Sequence, residues 1–279
     1  MPIISIITPS WLMKKETEFK AGVKTLEGLG FRVQNKKFLT KMPSLKQKIK
    51  QIHAAVKNKK VEIIMAQRGG YGCMKLLPHL HFTLLKKHPK IFAGFSDLSA
   101  LLNVIYEKTG LITWHSPMII NFHPATPFTI RSFLNACQGF PQKNLFAGAP
   151  LGIYRAGIAR GVLKGGNLIT LSALLGTKWE IKTAGTILFL EEVDQKLYEV
   201  DRLLSQWILA QKFAKVQGVI LGNFRGLKNK DVFNILREQV KIDFPLVYCP
   251  YIGHGPNKIT LPIGAKVELN TYTKTLKIL

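Results

Sequence analysis

Ser96 stands in Gly94-Phe95-Ser96-Asp97, between a strand-like run over residues 91–94 and a helical pattern over 98–107. A serine on so sharp a strand-to-helix turn is held exposed. The backbone N–H of the next residue, together with the helix amino end, can then stabilise an oxyanion, which is the chemistry of acyl transfer. The generic form of such a turn has glycine two residues after the serine, where this chain has Leu98. On spacing alone, the favoured reading is the plainer one, Ser96 or Asp97 as a helix N-cap.

Carboxylates are scarce, with 16 in the chain, and five of them fall within residues 191–201. Glu191 and Glu192 close the apolar run 187–190. Side chains alternate across a strand, so only one of the two can face a given pocket. Glu192, Asp194, Glu199 and Asp201 are expected to cap and start the following helix, whose amino end favours negative charge. Glu191 is the exception, because it lies nearest the carboxyl end of the strand, where α/β sheets place their sites.

Histidine is the natural proton carrier near neutral pH. His254 lies in Gly253-His254-Gly255-Pro256, read as a shaped loop, and His115 in Trp114-His115-Ser116-Pro117 is its rival. His79 and His81 are two apart with no third ligand at metal-like spacing, so no metal site is expected. The stretch Arg68-Gly69-Gly70-Tyr71-Gly72 lets the backbone approach a ligand closely and aim N–H groups at it, or is simply a turn. Gly165-Gly166 before Asn167 suits a helix cap or an anion-facing amide cluster.

The elements that must hold these residues follow from periodicity. Over the first 120 residues, β-branched runs at 2–8, 31–39, 61–66 and 91–94 alternate with helical patterns at 14–29, 45–57 and 98–107. That is the βαβ pattern of a mainly parallel sheet covered by helices. Periodicity weakens between about residues 121 and 156, where Pro and Gly accumulate. The second half predicts strands at 158–163, 186–190, 216–221, 266–269 and 275–279, with helices at 167–175, 197–210 and 231–240. The expected fold is α/β: an N-terminal domain over 1–135 whose mainly parallel sheet carries the serine turn, a linker over 136–157, and a C-terminal α/β or α+β lobe over 158–279.

Composition bounds the function. The chain has 279 residues, 47% apolar and 20% charged, which is globular. Forty basic residues leave a net charge of +24, pointing to an anionic partner or a basic cell interior. The lysines are scattered and no basic motif is interleaved with aromatics, so a non-catalytic nucleic-acid binder is disfavoured. No apolar run approaches the roughly 18 residues of a membrane helix, and no membrane insertion is expected. Near the amino terminus the lysines follow the apolar stretch instead of preceding it, so export is not indicated. Three widely spaced cysteines, Cys73, Cys137 and Cys249, fit reduced thiols better than a disulfide framework.

Taken together, IITPS near the start, AQRGGYG, GFSDLSALL, TWHSPM, GGNLITLSALLGT, ILFLEEV with YEVDRLL, and GHGPNKITLPIG resemble the LD-carboxypeptidase (muramoyltetrapeptide carboxypeptidase) family of serine peptidases. That family also includes the microcin C immunity peptidases. The resemblance implies Ser96 as nucleophile, Glu191 as the acid that orients the base, and His254 as the base. The backbone amides of Asp97 and of Gly69 or Gly70 would make the oxyanion hole, and Tyr71 and Asn167 would contact substrate. It further implies a murein tetrapeptide substrate that loses its terminal D-alanine in cytoplasmic cell-wall recycling, a homodimer, and no cofactor. Cys73 stands where members commonly have serine, and Ser116 where they have glycine; neither replaces an expected triad residue. A peptidase of the same mechanism acting on peptide-nucleotide toxins ranks second, because Trp179 is the one aromatic between Gly166 and Gly185.

Overall fold

In the computed structural model, which describes residues 1–279, the run Ile3–Ile7 forms β1 with all five residues buried. Strands buried on both faces read as continuous apolar runs, as in parallel sheets covered by helices. There follow α1 (Glu16–Gly28), β2 (Arg32–Gln34), α2 (Leu45–Lys57), β3 (Ile63–Ala66), α3 (Cys73–Leu76), α4 (Phe82–Lys87), β4 (Ile91–Gly94), α5 (Leu98–Thr109) and β5 (Thr113–His115). These five strands are parallel, in the order β2-β1-β3-β4-β5. The amino end of α2 is closed by a capping box between Ser44 and Gln47. The buried face of α2 is Lys48, Ile52, Ala55 and Val56, one stripe at helical spacing that includes a lysine.

The chain divides into two compact units, residues 1–125 and 126–279. The boundary therefore precedes the expected linker over 136–157. Pro127 is in the first turn of α6 (Pro127–Cys137), where a missing N–H costs nothing. Asn144 bridges to Lys277, and β6 (Gly152–Arg155) pairs with a later strand. The Pro and Gly of this stretch punctuate short elements of the second unit.

The rest of that unit is β7 (Ile158–Asn167), α7 (Leu168–Ser172), β8 (Thr186–Glu192), α8 (Leu197–Leu209), β9 (Gly218–Phe224), α9 (Asn229–Gln239), β10 (Leu246–Gly253), β11 (Leu261–Ile263), β12 (Lys266–Asn270) and β13 (Thr275–Ile278). Its seven-stranded sheet runs β13-β12-β7-β8-β9-β10-β6. The centre, β7 to β10, is parallel, and the strands at both ends are antiparallel. No helix is long and apolar enough to cross a membrane.

Two features of this sheet bear on function. β7 runs on through Gly165 and Gly166 to Asn167, because a side chain at 165 would strike the carbonyl oxygen of Phe189 on β8. The ladder on β9 is also irregular on both sides. Glu191 lies where the β8 register shifts, and residues 249–252 of β10 lie where Tyr248 pairs with Leu221 but Gly253 with Asn223. Pro250 falls inside the second shift, where no ladder N–H is demanded of it.

Candidate active site

The sharp turn between β4 and α5 is real: Ser96 has φ +64, the left-handed region that L-residues avoid. Leu98, which stands where the generic turn has glycine, packs over Gly94: a Cβ there would lie 2.4 Å from Leu98 Cδ2. The amino end of α5 has no side-chain cap, so neither Ser96 nor Asp97 serves as one. The Asp97 carboxylate is buried and accepts from Ser10 Oγ and from the Cys73 N–H at 2.9 Å.

Gly69 packs directly on Ser96: a Cβ there would lie 3.0 Å from Ser96 Cβ and 3.1 Å from its Oγ. Gly70, at φ +133, is closed in by the Trp11 ring, whose Cγ would be 2.7 Å from a Cβ. Tyr71 is 58% exposed, with Lys75 Nζ 4.8 Å from its ring centre. The left-handed φ of Ser96 has a measurable cost of about 1–2 kcal/mol. Ser96→Gly should therefore melt higher than Ser96→Ala in parallel thermal scans; equal or reversed melting temperatures would mean that the turn is not held in that conformation.

In the second unit Glu191 and His254 meet. Glu191 is fully buried, and its Oε2 lies 2.7 Å from His254 Nδ1. Two glycines make that approach possible: a Cβ on Gly253 would lie 2.5 Å from Glu191 Oε2, and one on Gly222 2.9 Å from Glu191 Cβ. A buried carboxylate on Nδ1 fixes the ring and presents Nε2 for proton transfer.

Strand alternation separates the two glutamates as expected, but Glu192 does not cap α8. It is 2% exposed, with Oε1 accepting from Asn167 Nδ2 and the Val193 N–H, both at 2.9 Å, and Oε2 accepting from the Ile169 N–H at 2.7 Å. Glu199 caps α8 instead, accepting from the Lys196 N–H, while Asp201 binds Ser205 and Gln239 on the helix surface. Burial raises the Glu192 pKa from 4.5 to about 7; the Glu191 charge adds to the rise, and the hydrogen bonds from Val193, Ile169 and Asn167 oppose it. Asn167 is the cap of α7, its Oδ1 accepting from the N–H and Oγ1 of Thr170.

Glu191→Gln should lower kcat by about 10⁴-fold, as loss of such an orienting acid does, and Glu192→Gln should cost little turnover. Stability moves differently. Folded Glu192 holds its proton more tightly than the unfolded chain does, so its contribution is complete below pH 4.5 and is lost as pH rises through about 7. The difference is about 3 kcal/mol. Denaturant melts between pH 4 and 8 should show that decline in the wild type and a reduced one in Glu192→Gln. Identical slopes would refute the assignment.

His115 is 2% exposed at the end of β5, with its ring edge-on to Phe95 at 5.6 Å. The residues that sequence reasoning missed are Ser10, Lys48 and Gly222. Ser10 lies just beyond the carboxyl end of β1, a position that sheet geometry favours for function, but Lys48 is hidden among the many lysines of the chain.

Both stretches of chain that carry these residues match known family models. Residues 4–116 match the model of the LD-carboxypeptidase N-terminal domain and residues 160–269 that of the LD-carboxypeptidase C-terminal domain. The chain belongs to the LD-carboxypeptidase family, and its class is that of a carboxypeptidase. It is 32% identical to the "Probable murein peptide carboxypeptidase" of Bacillus subtilis (strain 168), over 83% of this chain and 76% of that protein. It is 28% identical to the Microcin C7 self-immunity protein MccF of Escherichia coli, over 94% of this chain and 88% of that protein. The crystal structure of an MccF-like protein from Bacillus anthracis str. Ames is similar at a TM-score of 0.88 and 26% identity, covering 100% of this chain and 96% of that one.

Proposed function

We propose that this carboxypeptidase releases the terminal D-alanine of murein tetrapeptides through an acyl-enzyme on Ser96. Ser96 Oγ attacks the carbonyl carbon of the bond to D-alanine while His254 Nε2 takes the hydroxyl proton. The oxyanion is held by the N–H of Asp97 and that of Gly69 or Gly70. As the C–N bond breaks, His254 returns the proton to the amine of D-alanine; water then attacks the ester with His254 again as base. Glu191 keeps the imidazole oriented and stabilises its cation. The observation that carries this reading is the buried Glu191 on His254 Nδ1 at 2.7 Å. The murein substrate is supported by the name of the Bacillus subtilis relative, and the positive charge suits carboxylate-bearing peptides. The reading places the enzyme in the cytoplasmic recycling of wall fragments, as a homodimer.

The similarity to the self-immunity protein over 94% of the chain supports a second substrate class, peptide-nucleotide conjugates. Incubation with defined tetrapeptides and with such a conjugate, read by mass spectrometry, separates the two. Released D-alanine supports the first reading. Cleavage of the conjugate alone moves the enzyme to the second, and no cleavage of either overturns both.

A further inference from the structure

Four buried side chains of the first unit take no part in the reaction just described, yet they converge on the serine turn. Lys48 is 8% exposed on the apolar face of α2, and its Nζ donates to the carbonyls of Pro9 at 3.1 Å and Ser10 at 2.8 Å. Ser10 and Cys73 are fully buried and Asp97 is 6% exposed. One oxygen, Asp97 Oδ2, accepts from both Ser10 Oγ and the Cys73 N–H. Ser10 Oγ also lies 3.4 Å from Cys73 Sγ. Burial lowers the Lys48 pKa, and the charge of Asp97 works against that lowering, so the two groups sense one another.

Each link joins a different segment. Ser10 extends from β1, Cys73 closes the glycine loop that begins at Gly69, and Asp97 directly follows Ser96. A Cβ on Gly72 would lie 3.8 Å from Lys48 Nζ, so the same loop also rests on the lysine. A buried charge is expensive unless it is paired and hydrogen-bonded, and an apolar residue in its place would often leave the fold no less stable. Stability alone therefore does not account for it. Both proposed oxyanion donors belong to segments that Asp97 Oδ2 ties together, and such donors act only when held within tenths of an ångström of the developing charge.

We propose that Lys48, Ser10 and Asp97 form a positioning network that locks the glycine loop to the serine turn and so sets the rate of acylation of Ser96. The proposal rests on the reading of Ser96 as nucleophile. The side chains of Lys48 and Asp97 act through the backbone amides and touch no reacting atom. Cys73 contributes its N–H, so Cys73→Ser should retain the wild-type rate.

The test uses Lys48→Met, which keeps the stem and removes the charge, and Asp97→Asn, which keeps one acceptor. Each should lower kcat at least about ten-fold with KM little changed. The double variant should lose little more than the worse single one, because the residues act as a unit. The pH midpoint of kcat should stay in place while its plateau falls, since the Glu191–His254 pair is untouched. Lys48→Arg should restore part of the rate. Labelling of Ser96 by a fluorophosphonate, measured well below the melting temperature, should slow in parallel with kcat. If Lys48→Met or Asp97→Asn does not fold, Ser10→Ala, which removes one hydroxyl, carries the test, with an expected several-fold loss in kcat and in labelling rate. Wild-type kcat and labelling in folded variants overturn the network while leaving the serine reading intact. Failure of the reagent to label Ser96 in the wild-type enzyme overturns the serine reading itself.

Discussion

Ser96→Ala should abolish D-alanine release, with a loss of about a million-fold in kcat, as removal of the nucleophile produces in serine hydrolases. The substitution deletes one oxygen from a half-buried position and no core volume, so the variant should fold and melt close to the wild type. Alanine inherits the left-handed backbone at φ +64 and no route to a covalent intermediate. Mass detection of an acyl adduct on a Ser96-containing peptide in the wild type, and its absence in the variant, checks the same claim without turnover. Wild-type release by Ser96→Ala would end the acyl-enzyme proposal.

His254→Ala should be as severe, again about a million-fold, and combining it with Ser96→Ala should add almost nothing, because nucleophile and base act as a unit. The contact with Glu191 makes His254 and not His115 the expected base. His115 belongs to the packing around β5, where its ring meets Phe95. His115→Ala should keep measurable turnover with a lower melting temperature, the cost of removing a buried ring. A small loss at His254 beside a complete one at His115 would reverse the assignment while leaving the peptidase class untouched.

Much of the frame was legible because periodicity reports burial. The stripe of α2 and the strand β4 fall where the sequence reading puts them, since a helix face and a buried strand each leave a period of their own. β10 was not legible. No strand is predicted from the sequence after residue 240 until 266, and Gly253 to Pro256 read as a shaped loop, whereas β10 runs through a register shift at Pro250 and ends on Gly253. β2 stops early for a related reason: Asn35 turns at φ +57, which no hydropathy pattern encodes. Within the site, alternation distinguished Glu191 from Glu192, yet it could not show that Glu192 is buried, because a carboxylate at a strand end ordinarily faces water. The conflict between a nucleophile turn and a cap at Ser96 also lay beyond the sequence; it depends on a dihedral and on the packing of Leu98 over Gly94.

Gly222 stands between the two register shifts of β9, and a Cβ there would lie 2.8 Å from the Ile252 carbonyl oxygen and 2.9 Å from Glu191 Cβ. Glu191 and the strand that leads to His254 are thus gauged against the same bare backbone. The tolerance of the pair is that of a machined part with a zero-thickness shim: its spacing belongs to main chain, which rotamer changes and solvent fluctuations do not reset. The gap between Glu191 and His254 therefore has two adjustments, Gly222 and Gly253, and neither residue carries chemistry of its own.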